Sequence, residues 1–97
     1  MKKFALLTIG FEKPTPQIME EWMKWFQSIQ PSIIEQVGFM NGKEITENGL
    51  VDLEMNLESI TGCLFIQAES MEDALKIAEG CPMITSTRVY EVREQKS

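Results

Sequence analysis

Residues 60–82, ITGCLFIQAESMEDALKIAEGCP, constrain this chain more than any other stretch. Ile60 to Ala68 is a short apolar run rich in strand formers, greasy on both faces through CLFI. It leads straight into Ser70, a preferred helix N-cap, with Asp73 three residues on at the capping-box position. Met71, Ala74, Leu75 and Ala78 then recur on one helical face, with Ile77 beside it. Gly80 stands where a left-handed C-cap belongs, and Pro82 forbids any continuation. The segment therefore reads as a complete strand–helix unit with a hard stop.

The N-terminal half repeats the theme. Lys3 to Ile9 reads as a strand buried on both faces. Thr15-Pro16 opens a helix, with Thr as N-cap and Pro at the first helical position, and Pro31 ends it. Ile18, Trp22, Trp25, Phe26 and Ile29 recur at helical spacing, and Met19 and Met23 widen the stripe beyond the usual core-facing arc of about 100°. Between the two units, Asn41-Gly42 and Asn48-Gly49 are tight-turn signals. The first is expected to close a hairpin between EQVGFM and KEIT. After the second, Val51, Leu53, Met55 and Leu57 alternate with polar residues, which predicts a half-buried extended segment. RVYEVR, Arg88 to Arg93, reads as a last strand, and Glu94 to Ser97 as a short disordered tail.

The order is strand, helix, strand region, strand, helix, strand. That is the βαββαβ pattern of a ferredoxin-like α+β fold: an antiparallel sheet with two helices on one face, in a single domain spanning 1–97. Such a sheet keeps one face uncovered, yet its first and third strands look apolar on both sides. A second layer is needed. The simplest source is another copy of the same chain, packed sheet to sheet about a two-fold axis, so a homodimer is expected.

Charge narrows the partners. The net charge is −6, and the nine Lys and Arg are scattered rather than gathered into a basic stripe. Phosphate backbones and anionic lipid both call for clustered cations, so neither nucleic acid nor a membrane surface is expected as a partner. The opening MKKFALLTIGFEKP reads as a first strand rather than a secretion signal. With only Cys63 and Cys81 available, a reduced, cytoplasmic protein is expected.

The C-terminal half, LESITGCLFIQAESMEDALKIAEGCPMI followed by RVYEVRE, resembles the YCII-related family of the type also called DGPF proteins. The matching positions are Gly62, Ser70, Ala74, Ala78, Gly80, Cys81, Pro82, Glu91, Val92 and Arg93, and MKKFALLTIG with the tryptophan-rich first helix is similar as well. The resemblance spans the chain except for about residues 33–57. It implies a dimeric α+β barrel. Some members of that family resemble small-molecule lyases such as dehydrochlorinases, with a site of one His and one Asp. The Asp-Gly-Pro-Phe/Tyr signature would fall near Leu50 to Leu53, where this chain has Leu-Val-Asp-Leu, and no histidine occurs anywhere.

The absence of histidine removes Ser-His-Asp and Cys-His nucleophile systems, and imidazole-held zinc with them. No catalytic residue, metal or cofactor is expected, and the chain leans away from being an enzyme. Cys81 follows a helix C-terminus, whose dipole has the wrong sign for activating a thiol, so Gly-Cys-Pro reads as geometry. The aromatic residues Trp22, Trp25 and Phe26 are the candidate walls of a ligand pocket between helix and sheet, with Asp52 as a candidate polar member. The expected function is a non-catalytic domain binding a small apolar or aromatic metabolite. One alternative is a lyase or isomerase using Asp52 or Glu44 as a carboxylate base. Another is a protein-interaction or accessory domain acting through its Trp- and Met-rich surface.

Overall fold

The computed structural model describes residues 1–93; the expected tail, 94–97, lies outside them. Six strands and two α-helices follow one another: β1 Lys2–Ile9, α1 Pro16–Ile29, β2 Ile33–Gly38, β3 Lys43–Thr46, β4 Gly49–Asp52, β5 Ile60–Ala68, α2 Met71–Glu79 and β6 Ser86–Glu91, with a single 3₁₀ turn at Gln30–Ser32 after α1. The main sheet is antiparallel, in the order β2-β5-β1-β6. Leaving aside the small β3–β4 sheet, this is the ferredoxin-like arrangement, as the order of elements in the sequence requires.

Local chemistry accounts for both helices. Thr15 Oγ1 accepts from the Ile18 amide at 3.2 Å, and Pro16 sits at the first turn. Ser70 Oγ accepts from the Asp73 amide at 3.2 Å, with Glu72 and Asp73 in the first turn where the helix dipole favours negative charge. The end of α2 corrects the sequence reading. Gly80 has φ −78°, an ordinary right-handed value, so it is no left-handed cap. It is a packing glycine: a Cβ there would lie 3.2 Å from Trp25 Cδ1. The Trp25 indole N–H takes over a terminal task and donates to the Ile77 carbonyl at 3.1 Å, tying α1 to the last turn of α2.

Strand alternation sorts the sheet into two faces. Phe4, Leu6, Leu64 and Ile66 point to the helices and form the core with Trp25, Ile29, Ala74 and Ala78. The register places Ala5 beside Phe65 and Tyr90, and Leu7 beside Cys63 and Arg88, on the opposite face. Glu35 and Val37 join them from β2. No element of the described residues covers that face. The Cα trace is only 18 Å across its thinnest dimension, one sheet and one helical layer deep.

The middle of the chain differs from expectation in two ways. β2 does not turn back at Asn41-Gly42 to pair with KEIT; it pairs with β5. The Phe39 amide, donating to Thr61 O at 2.9 Å, extends that ladder to the point where the chain leaves the sheet. Asn41 takes a left-handed conformation there, at φ 55°. The hairpin is β3–β4, which turns through Glu47-Asn48, with Gly49 opening β4 at φ 122° opposite Thr46. Second, the alternation after Asn48-Gly49 is not half-buried. β4 stops at Asp52, and Val51, Leu53, Met55 and Leu57 are all exposed. Their period is that of a strand, but each keeps 42–57 % of its surface exposed. Residues 53–59 are instead a loop, pinned to the end of β1 by Gly10 N–H donating to Ser59 O (2.7 Å) and Phe11 N–H to Asn56 O (2.8 Å). The last strand also runs from Ser86 to Glu91, so Arg93 lies beyond it.

Candidate functional site: a cleft between the first helix and the sheet

α1 does not lie flush on the sheet. Trp25 and Ile29 seat it at the core, while Trp22 and Phe26, one turn over, stand partly open. The three aromatic rings brace one another: Trp22 meets Trp25 edge to face at 5.7 Å, and Phe26 tilts against both at 5.7 and 5.3 Å. Below them is a cleft of about 210 Å³, bounded by the three rings on one side and by Leu6, Thr8 and Thr61 on the other. The structure thus brings together three of the four site residues expected from sequence.

The floor of the cleft is polar at one spot. Thr8 on β1 and Thr61 on β5 place their hydroxyl oxygens 3.0 Å apart. Thr61 Oγ1 also donates to Thr8 O (3.2 Å), and Thr8 Oγ1 lies 3.4 Å from Gly62 O. Thr87 on β6 reaches the same cleft and donates to Cys81 Sγ at 3.8 Å. The sequence reading passed over these threonines. The available signal was a hydroxyl residue within strands otherwise read as apolar, Thr8 in FALLTIG and Thr61 in ITGCLFI.

Neither thiol sits in an activating environment. Burial pushes Cys81 above the ordinary thiol range, only partly opposed by the Thr87 hydrogen bond. Burial also raises Cys63, helped by nearby Glu35 and countered by Lys3. The protonated thiol is the favoured form of each, which agrees with reading Gly-Cys-Pro as geometry.

Asp52 does not join the aromatic cleft. It closes the hairpin opposite Lys43, with 3.1 Å between Lys43 Nζ and Asp52 Oδ1 and 81 % of its side chain exposed. Glu44, one residue along β3, is exposed as well. Both edge a different, wider hollow of about 730 Å³ under the hairpin. A general base needs a desolvated carboxylate beside its substrate, and neither residue has that setting within one chain. The exposed Phe11, Met19, Met23 and Met83 border a third groove of about 430 Å³, which shares Thr8, Trp22, Phe26 and Thr61 with the cleft. Among the described residues, no group of three or more Cys, Asp or Glu side chains is placed to hold a metal ion, and no helix is long and apolar enough to cross a membrane.

No protein-family model and no curated protein matches the chain. Its fold is similar to that of 5-chloro-2-hydroxyhydroquinone dehydrochlorinase from Burkholderia phenoliruptrix AC1100, in a structure with 2,5-dihydroxybenzoquinone. The TM-score is 0.60 over 96% of this chain and 95% of that one, at 11% identity. At that identity the likeness concerns the fold.

Proposed function

We propose that this chain is a YCII-related domain that binds a small apolar or aromatic molecule in the cleft beneath α1 and works as a homodimer. The family assignment draws on the residue pattern from Gly62 to Arg93 and on a fold shared with a dehydrochlorinase, an activity the resemblance also names. The cleft is the observation that carries the binding role. Three aromatic rings wall it, and an apolar cavity of about 150 Å³ is already enough to hold a benzene ring. Two free, buried cysteines accord with a reducing compartment such as the cytoplasm. The ligand in the similar structure, 2,5-dihydroxybenzoquinone, is a single oxygenated ring, which makes hydroquinone a sensible first probe. Calorimetric titration with hydroquinone is expected to give saturable binding, and Trp22→Ala should weaken it at least tenfold by removing one wall. Unchanged affinity in that variant would place the ligand elsewhere.

The same fold likeness favours a lyase as the second reading, with Asp52 or Glu44 as base. It requires the hairpin to be covered by something outside the chain, because both carboxylates face solvent here.

The uncovered sheet face supports the dimer. Leu7, Phe65, Val37 and Tyr90 share it with Lys3, Arg88 and Glu35, so a two-fold axis could match apolar to apolar and cation to carboxylate. Lys3 already lies 4.7 Å above the Phe65 ring. Light scattering should return twice the chain mass for the native protein, whereas Leu7→Glu, which places a charge at the centre of that face, should give the monomer mass. A native monomer at micromolar concentration would end the dimer proposal.

A further inference from the structure

We propose that the cleft selects an uncharged, single-ring phenol, whose hydroxyl donates a hydrogen bond to the Thr8–Thr61 pair; this rests on the cleft-binding reading above.

The hydrogen bonds already made at the floor dictate the polarity of what can be added. Each threonine hydroxyl has one proton and two lone pairs. Thr61 can donate to Thr8 O (3.2 Å) or to Thr8 Oγ1 (3.0 Å). Thr8 can donate to Thr61 Oγ1 in the first case and to Gly62 O (3.4 Å) in either. Both protons therefore find acceptors within the protein, and both oxygens keep lone pairs to spare. Thr87 follows the same rule, its proton being directed to Cys81 Sγ. Gln36 and the Trp22 indole N–H carry donors elsewhere in the lining, but the Thr8–Thr61 spot itself offers acceptors without a free donor. A ligand O–H completes it, whereas a carbonyl oxygen set against it meets only lone pairs.

Charge and size supply the other limits. The lining contains no Asp, Glu, Lys or Arg. A carboxylate or ammonium would be partly desolvated there without a counter-ion, which disfavours it against a neutral ring. A volume of about 210 Å³ accommodates one six-membered ring and its substituents beside the threonines, while Thr8, Trp22, Phe26 and Thr61 also line the neighbouring groove of about 430 Å³. Trp22 and Phe26, with ring planes 33° apart, offer flat apolar faces to such a ring.

The test is calorimetric titration of the full chain with phenol, toluene and benzoate, three single-ring compounds of similar size. Phenol is expected to bind about three- to tenfold more tightly than toluene, the return of one net hydrogen bond, and benzoate to bind more weakly than either. In the double variant Thr8→Val/Thr61→Val, the hydroxyls are replaced by methyl groups of the same shape on strands that favour valine. There the phenol preference should vanish while toluene affinity holds, with circular dichroism confirming the fold. Equal affinity for phenol and toluene in the native chain, a phenol preference surviving the double variant, or benzoate binding as well as phenol would each overturn the selectivity while leaving the cleft as a binding site. If none of the three binds, the cleft-binding reading falls with it.

Discussion

Phe4→Ala is expected to remove a large share of the chain's stability. Phe4 lies on a central strand, paired with Ile66 on one side and Glu91 on the other, and is fully buried in the core with Leu6 and Ile66. Removing a buried phenyl ring costs about 3–5 kcal/mol, the lost transfer energy together with the cavity left behind. A domain of this length has only about 5–15 kcal/mol in total. A chain one helical layer thick has little material with which to collapse around the hole. Thermal denaturation followed by circular dichroism should show Tm falling by at least about 12 °C. A fall of only a few degrees would mean that Phe4 is not at the centre of the core.

Gly62→Ala should be the most damaging of the single-methyl changes near the cleft. Gly62 is buried in β5, between Thr8 of β1 and Gly38 of β2. An added Cβ would stand 2.8 Å from the Val37 carbonyl oxygen, a backbone atom that cannot rotate away. β2 would have to separate from β5 where their ladder borders the cleft. A cost of about 1–3 kcal/mol is expected, with faster amide exchange along β2 than along β6. Gly38→Ala is the matched control: the same chemical change one strand away meets nothing within 4 Å and should lie within about 0.5 kcal/mol of the native chain. Equal effects from the two substitutions would remove the steric argument.

The contrast between these two glycines shows where sequence reading succeeds and stops. β5 and both helix starts are legible because their signals are local: an apolar run, a hydroxyl cap, a proline at the first turn. β5 itself begins and ends where the pattern places it, Ile60–Ala68. The partner of β2 is not legible in this way. Asn41-Gly42 and Asn48-Gly49 carry the same turn chemistry, and only the distant β5 decides which of them marks a hairpin. Residues 51–57 fail for a related reason. Alternation records what a segment could bury, and within one chain Val51, Leu53, Met55 and Leu57 stay about half exposed. Gly80 shows a local signal giving the right stop through the wrong mechanism, since its backbone is right-handed and its close neighbour is the Trp25 ring. At the site, helical spacing gathered Trp22, Trp25 and Phe26, but adding Asp52 depended on a segment whose path is set by tertiary pairing. The Thr8–Thr61 contact, 53 residues apart, depends on strand register and is invisible to any window of sequence.

If the space between α1 and the sheet receives a small aromatic molecule, the two tryptophans give a direct readout of it. Their indole N–H groups yield two signals in a proton–nitrogen correlation spectrum. Trp25 N–H is held by the Ile77 carbonyl, while Trp22 stands partly open at the cleft. Titration with hydroquinone should move the Trp22 signal progressively to saturation and the Trp25 signal less, together with the amides of Thr8 and Thr61. Both indole signals remaining still at millimolar ligand would contradict the account.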